Sequence, residues 1–112
     1  MTVVALAHVE GIHGRRPELV ALMRATAASA RAHPGCLAYD FTVSLDDPDH
    51  LLLVAEWHDE PSLRAYYRSD DFAAYQQGLA GLLARPSELR LHHVERTERP
   101  TSAGDLDPRL AD

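Results

Sequence analysis

The sequence of 112 residues holds one cysteine, Cys36. An intramolecular disulfide and any multi-cysteine metal site are thereby excluded. No apolar run approaches the roughly 20 residues of a membrane-spanning helix. The start, Met1 to Val9, lacks the basic flank and small-residue cleavage site of a secretory signal, so a cytoplasmic protein is expected. Basic residues never cluster beyond the Arg15-Arg16 pair, and the formal net charge is −6. A nucleic-acid face has no support in this pattern, and an anionic membrane surface would repel the chain.

What is present describes one globular domain. Hydrophobic residues make up 46% and charged residues 25% of the chain, so a packed core rather than disorder is the default. Val3 to Val9 is aliphatic and β-branched, as a buried strand requires. Pro17 opens a helix to Ala32, with Leu19, Leu22, Met23, Thr26 and Ala30 at helical spacing. His33-Pro34-Gly35 stops it. Leu37, Tyr39, Phe41 and Val43 alternate with Ala38, Asp40 and Thr42, the period of a strand with one buried face. Asp46-Asp47-Pro48-Asp49 turns the chain into Leu51 to Trp57, a third strand. A helix over Ser62 to Arg68 follows. Ser69-Asp70-Asp71 caps a second, whose stripe of Phe72, Tyr75, Leu79, Leu82 and Leu83 runs to Arg85-Pro86. Leu89 to Glu95 is the last strand.

The order β-α-β-β-α-β, with its second helix broken, predicts an α+β, ferredoxin-like domain over residues 1–97. Its four-stranded antiparallel sheet carries helices on one face. Residues 98–112 read as a C-terminal tail or arm. The opposite face of the sheet carries Val4, Leu6, Leu52 and Val54, which predicts pairing with a second copy. His8 is expected on that face near Glu56, and His13, His33 and His50 in solvated turns. No histidine pair has zinc-site spacing, so no metal is expected.

Several stretches together resemble the antibiotic biosynthesis monooxygenase family. They are His33-Pro34-Gly35-Cys36-Leu37-Ala38-Tyr39, Asp46-Asp47-Pro48 and Glu56-Trp57, followed by Leu63, Ala65, Ser69 and Phe72. The resemblance implies a homodimeric α+β barrel, with a pocket in each subunit between sheet and helices. It also implies a cofactor-independent monooxygenase acting with molecular oxygen on a small aromatic, phenolic, polyketide or quinol-like substrate. The alternatives are a non-catalytic small-molecule-binding or assembly domain, and an isomerase or cyclase on similar substrates. Polyketide oxygenases of the family carry Asn where Leu53 stands and Tyr where Leu63 stands, and of that set only Trp57 is here. The haem-degrading branch needs a helical His where Gln76 stands, so no haem is expected.

The pocket is expected to have Trp57 as its aromatic wall and Tyr66 as its polar contact, with His58 as the next polar candidate. Tyr39, Phe41, Leu53, Ala55, Leu63, Phe72 and Tyr75 are expected to bind the substrate. Tyr66 and Tyr67 point about 100° apart on a helix, so only one of them enters the pocket.

Overall fold

Alternation builds the sheet. Val3, Ala5, Ala7 and Val9 face inward along the first strand, and Leu51, Leu53, Ala55 and Trp57 face inward along the third. The computed structural model describes residues 1–101. It contains β1 (Val3–Glu10), α1 (Arg16–Arg31), β2 (Cys36–Val43), β3 (His50–Trp57), α2 (Glu60–Tyr67), α3 (Asp70–Gly78) and β4 (Glu88–His93). The four strands form one antiparallel sheet in the order β2-β3-β1-β4. The fold is the expected ferredoxin-like α+β plan. Of the tail expected over residues 98–112, residues 102–112 lie outside the described residues.

The helices lie on the inward face. Near one end, Leu19 and Met23 of α1 meet Val9 and Leu51 of the sheet, with Leu82 beside them. Each such side chain contributes about 1.5–3 kcal/mol on burial. Toward the other end, Ala27 and Ala30 of α1 share a cluster with Ala5, Ala7 and Ala55 of the sheet and with Trp57, Leu63 and Tyr66. Alanines on both sides let the helix approach closely.

Local signals place the helices as expected. Asp59 caps α2 by accepting from the Ser62 backbone N–H at 2.9 Å. Ser69 caps α3 by accepting from the Phe72 N–H at 3.2 Å. Gly35 sits at φ +84°, and a Cβ there would lie 2.3 Å from Ser62 Oγ. Only glycine fits that turn.

Five expectations need correction. Leu37 is 56% exposed and Val43 is 40% exposed, although their spacing implied burial. The β2–β3 register shifts between Cys36 and Ala38, so Leu37 is an extra residue that escapes the alternation. Val43 faces α1 across an open groove, which leaves it partly in water. The last helix stops at Gly78, and Leu79 to Leu82 turn instead, with Gly81 at φ +79°. His8 approaches His50 at 3.2 Å rather than Glu56, because the register sets Glu56 opposite Val4. His33 is half-buried rather than solvated, with Nε2 at 2.7 Å from an Asp71 carboxylate oxygen.

The outer sheet face is as expected apolar at its centre. Val4, Leu6, Leu52 and Val54 are all half-exposed in the single chain. β4 differs from the other strands, since all six of its residues are exposed, Leu89 and Leu91 included.

Candidate functional site

The sheet's small residues create a cavity. Where Ala5, Ala7 and Ala55 face inward, no side chain fills the space beneath the α2–α3 region, and about 50 Å³ remains. Trp57, Leu53 and Tyr39 of the sheet border it, as do Phe72 and Tyr75 of α3. Six expected residues thus meet there: Trp57, Tyr39, Leu53, Ala55, Phe72 and Tyr75.

Four expected residues do not line it. Leu63 and Tyr66 are buried in the core behind the cavity. Phe41 lines a separate groove beneath α1. His58 projects into solvent, its side chain 72% exposed, with Nδ1 at 3.1 Å from Asp59 Oδ2. The lining includes Tyr67, Ser87 and Leu89 instead. Tyr67 enters in place of Tyr66, because α2 turns position 66 onto the sheet and position 67 toward α3. Spacing separated the two tyrosines but could not fix that rotation. Ser87 and Leu89 carried no sequence signal, since they reach the cavity only through the pairing of β4 with β1.

The aromatic rings form a continuous array. Tyr66 stacks on Trp57 with ring centroids 5.1 Å apart and 25° between planes. One face of Trp57 is therefore already covered. Tyr39 meets Tyr66 edge-on at 5.7 Å, and Phe72 meets it at 5.4 Å. Tyr67 and Phe72 close the near side, with centroids 4.8 Å apart across the break between α2 and α3. Behind them, His33 packs edge-on against Tyr66 at 5.0 Å. Sequence reasoning missed His33, which lies 38 positions from its partner Asp71.

Hydrogen bonding gives the site a direction. The Tyr66 hydroxyl donates to the Tyr39 hydroxyl oxygen at 3.2 Å. Tyr39 borders the cavity, and its own O–H proton remains to be donated. Burial pushes the phenols of Tyr39 and Tyr75 well above their ordinary value, and that of Tyr67 up to about 12. The Tyr66 phenol is raised as well, mainly by burial. All four stay protonated near neutral pH and act as hydrogen-bond donors, not as bases. The cavity lining holds no carboxylate and no histidine.

Outside the cavity, Gln76 is exposed on α3. Among the described residues, no group of three or more His, Cys, Asp or Glu could hold a metal ion. The same residues include no helix long and apolar enough to cross a membrane. Cys36 is a free thiol, and burial pushes its pKa up. It stays a neutral thiol rather than a nucleophile.

Comparisons with known proteins agree with this architecture. Residues 2–78 match the antibiotic biosynthesis monooxygenase family. Rv0793 from Mycobacterium tuberculosis superposes with a TM-score of 0.81 at 24% identity, over 88% of this chain and 100% of that one. A conserved protein from Methanosarcina mazei gives 0.79 at 24% identity, over 82% of this chain and 91% of the other. SnoaB from Streptomyces nogalater, described as a cofactor-independent oxygenase, gives 0.75 at 22% identity, over 86% of this chain and 95% of that one. At these identities the likeness concerns the fold. No protein of curated function matches the sequence significantly.

Proposed function

From its place in the antibiotic biosynthesis monooxygenase family, to which the chain belongs, we propose that it is a cofactor-independent monooxygenase of a small phenolic, polyketide or quinol-like aromatic. The observation that carries this reading is the Tyr66–Tyr39 hydroxyl pair beside an uncharged aromatic cavity. The oxygenase described for Streptomyces nogalater shares the fold.

The reaction uses the substrate as its own reductant. When a methylene between aryl rings becomes a carbonyl, two C–H bonds break and one C=O forms. The second oxygen atom leaves as water, and the substrate supplies all four electrons. The protein's part is to stabilise the ionised substrate and to exclude water. Tyr39 donates to the substrate oxyanion, and Tyr66, donating to Tyr39, strengthens that donor from behind. Without a base on the lining, the substrate itself must be acidic. A cavity of about 50 Å³ is smaller than the roughly 150 Å³ that holds benzene. Admission therefore requires Tyr67 and Phe72 to part at the α2–α3 break.

The working unit of this proposal is a homodimer in the cytoplasm. Members of the family typically form dimers, and the half-exposed Val4, Leu6, Leu52 and Val54 supply an apolar centre for an interface of about 1,600 Å². Sedimentation at micromolar concentration should give one species of twice the chain mass; a clean monomer would remove the dimer.

Oxygen uptake with anthrone-like and hydroquinone substrates, metals chelated, tests the chemistry. Tyr39→Phe should leave binding nearly intact and lower turnover about 10- to 100-fold, roughly 1–3 kcal/mol in the barrier. Tyr66→Phe should lower it less. Turnover by Tyr39→Phe at the wild-type rate would overturn the assignment. The closed cavity favours a second reading, a non-catalytic binding domain. That reading prevails if no substrate consumes oxygen while several quench Trp57 fluorescence.

A further inference from the structure

A second, larger concavity lies between α1 and the β2–β3 side of the sheet, apart from Trp57. It measures about 430 Å³, within the range of small-molecule sites. One face of α1 builds its wall. Arg16, Val20, Met23, Arg24, Ala27 and Arg31 all line it, and at 100° per residue they fall within one stripe about 100° wide. Phe41 and Val43 of β2 face the stripe, and Val43 is 40% exposed there.

The three arginines are used unequally. Arg31 donates to the Tyr39 carbonyl and to Asp40 Oδ1, both at 3.0 Å, which fixes one end of the rim. Arg16 donates to the Pro48 carbonyl at 3.2 Å, a neutral acceptor that leaves its charge uncompensated. Arg24 has no hydrogen bond or ion pair among the described residues. Two cations without a carboxylate partner, Arg16 and Arg24, thus rim a groove with an apolar floor on a chain of net charge −6. A compact anion would satisfy the arginines and leave the apolar floor wet. A neutral lipid would do the reverse.

We propose that this groove binds a single-chain aliphatic carboxylate, with its headgroup on Arg24 and its chain along Val20, Met23 and Phe41. Arg24 and Arg16 stand about 12 Å apart along the helix, so the guanidiniums can reach the headgroup from two sides. The guanidinium fork suits a carboxylate better than a point charge would.

Titration calorimetry of the full chain with dodecanoate, below its micelle concentration, tests this. Dodecanoate should bind saturably at one per chain, while acetate and dodecyltrimethylammonium should give no saturable heat. Arg24→Gln should weaken dodecanoate at least 10-fold, and Arg68→Gln, outside the groove, should not. Amide shifts should gather at Val20 and Phe41 while Trp57 fluorescence stays constant. Equal binding of the cationic amphiphile, or wild-type affinity in Arg24→Gln, would overturn the proposal. So would quenching of Trp57, which would place the chain in the aromatic cavity. None of these readouts depends on oxygen uptake, so the two proposals stand or fall separately.

Discussion

The cavity beside Trp57 measures about 50 Å³ and has no charged lining, whereas the groove beneath α1 measures about 430 Å³ and carries three arginines. Both lie on the helix-bearing face of one sheet. The difference comes from what each helix brings to that face. The α2–α3 region brings Tyr67, Phe72 and Tyr75, whose rings close over the gap that the sheet's alanines leave, with Tyr66 buried behind them. At the other site, α1 brings Val, Met and Ala, interrupted by arginines whose stems reach water. Aromatic side chains close a site, and arginines at a helix's margin keep one open.

The largest expected effect separates the two sites by stability. Trp57 is fully buried and lies under Tyr66. Trp57→Ala should cost about 3–5 kcal/mol in urea unfolding, while Arg24→Ala, at an exposed site, should stay within about 0.5 kcal/mol. A loss below about 1 kcal/mol for Trp57→Ala would mean that the neighbouring rings collapse into the hole, and the closed character of that site would be lost as an argument. Because the Ala variant loses so much stability, Trp57→Phe is the better probe of binding.

A smaller effect tests the polar pair. Tyr66→Phe removes the donor to Tyr39 and leaves a buried oxygen without its partner. The expected cost is about 1 kcal/mol in the same assay. Arg24→Gln, at a residue that has no contact with Tyr39, should not reproduce this loss. Equal stability of Tyr66→Phe and wild type would show that water replaces the hydroxyl, and the cavity would then be wet.

The smallest effect concerns acid. Hydrogen bonds from Ser62 to the α2 cap, Asp59, hold that carboxyl near pKa 2, below its ordinary 3.8. A lowered folded-state pKa contributes stability that is complete above the unfolded value and fades as pH falls through the folded one. Between about pH 4 and 2, the near-ultraviolet signal of the aromatic site should weaken. Asp59→Asn should show a smaller step, the remainder belonging to Asp71, whose carboxyl the hydrogen bond with His33 also holds below its ordinary value. A wild-type titration identical to that of Asp59→Asn would refute the link.

The sequence makes some of this legible and hides the rest for physical reasons. The lone polar residues His8 and Glu56, in the otherwise apolar runs Val3–Val9 and Leu51–Trp57, mark the outward faces, because the pleat then leaves no choice of side for the rest. Ser69 and Pro17 predict helix starts, because capping is a local interaction. Leu37 misleads, since a bulge adds a residue without a local mark. Leu79–Leu83 misleads because its leucines keep a helical stripe although the chain turns at Gly81. In the site, Trp57 and Tyr39 follow from strand parity. Tyr67, Ser87 and His33 come from tertiary docking, which spacing does not encode. Arg16, Arg24 and Arg31 stand apart in the sequence and form no cluster there, and only the neighbouring strand turns their shared helix face into a groove.

The strand order has a consequence in time. Val3–Glu10 sits between β3 and β4, so its second edge is completed by Glu88–His93, near the far end of the described chain. On a ribosome adding about 5–20 residues per second, β1 waits several seconds for that partner. Through this interval an aliphatic strand presents an open ladder of N–H and C=O groups, the kind of edge that recruits other nascent chains. The β3 hairpin arm can pair with one side first, but the other stays available until Glu88–His93 emerges. Newly made protein should therefore be most prone to aggregate just before β4 emerges.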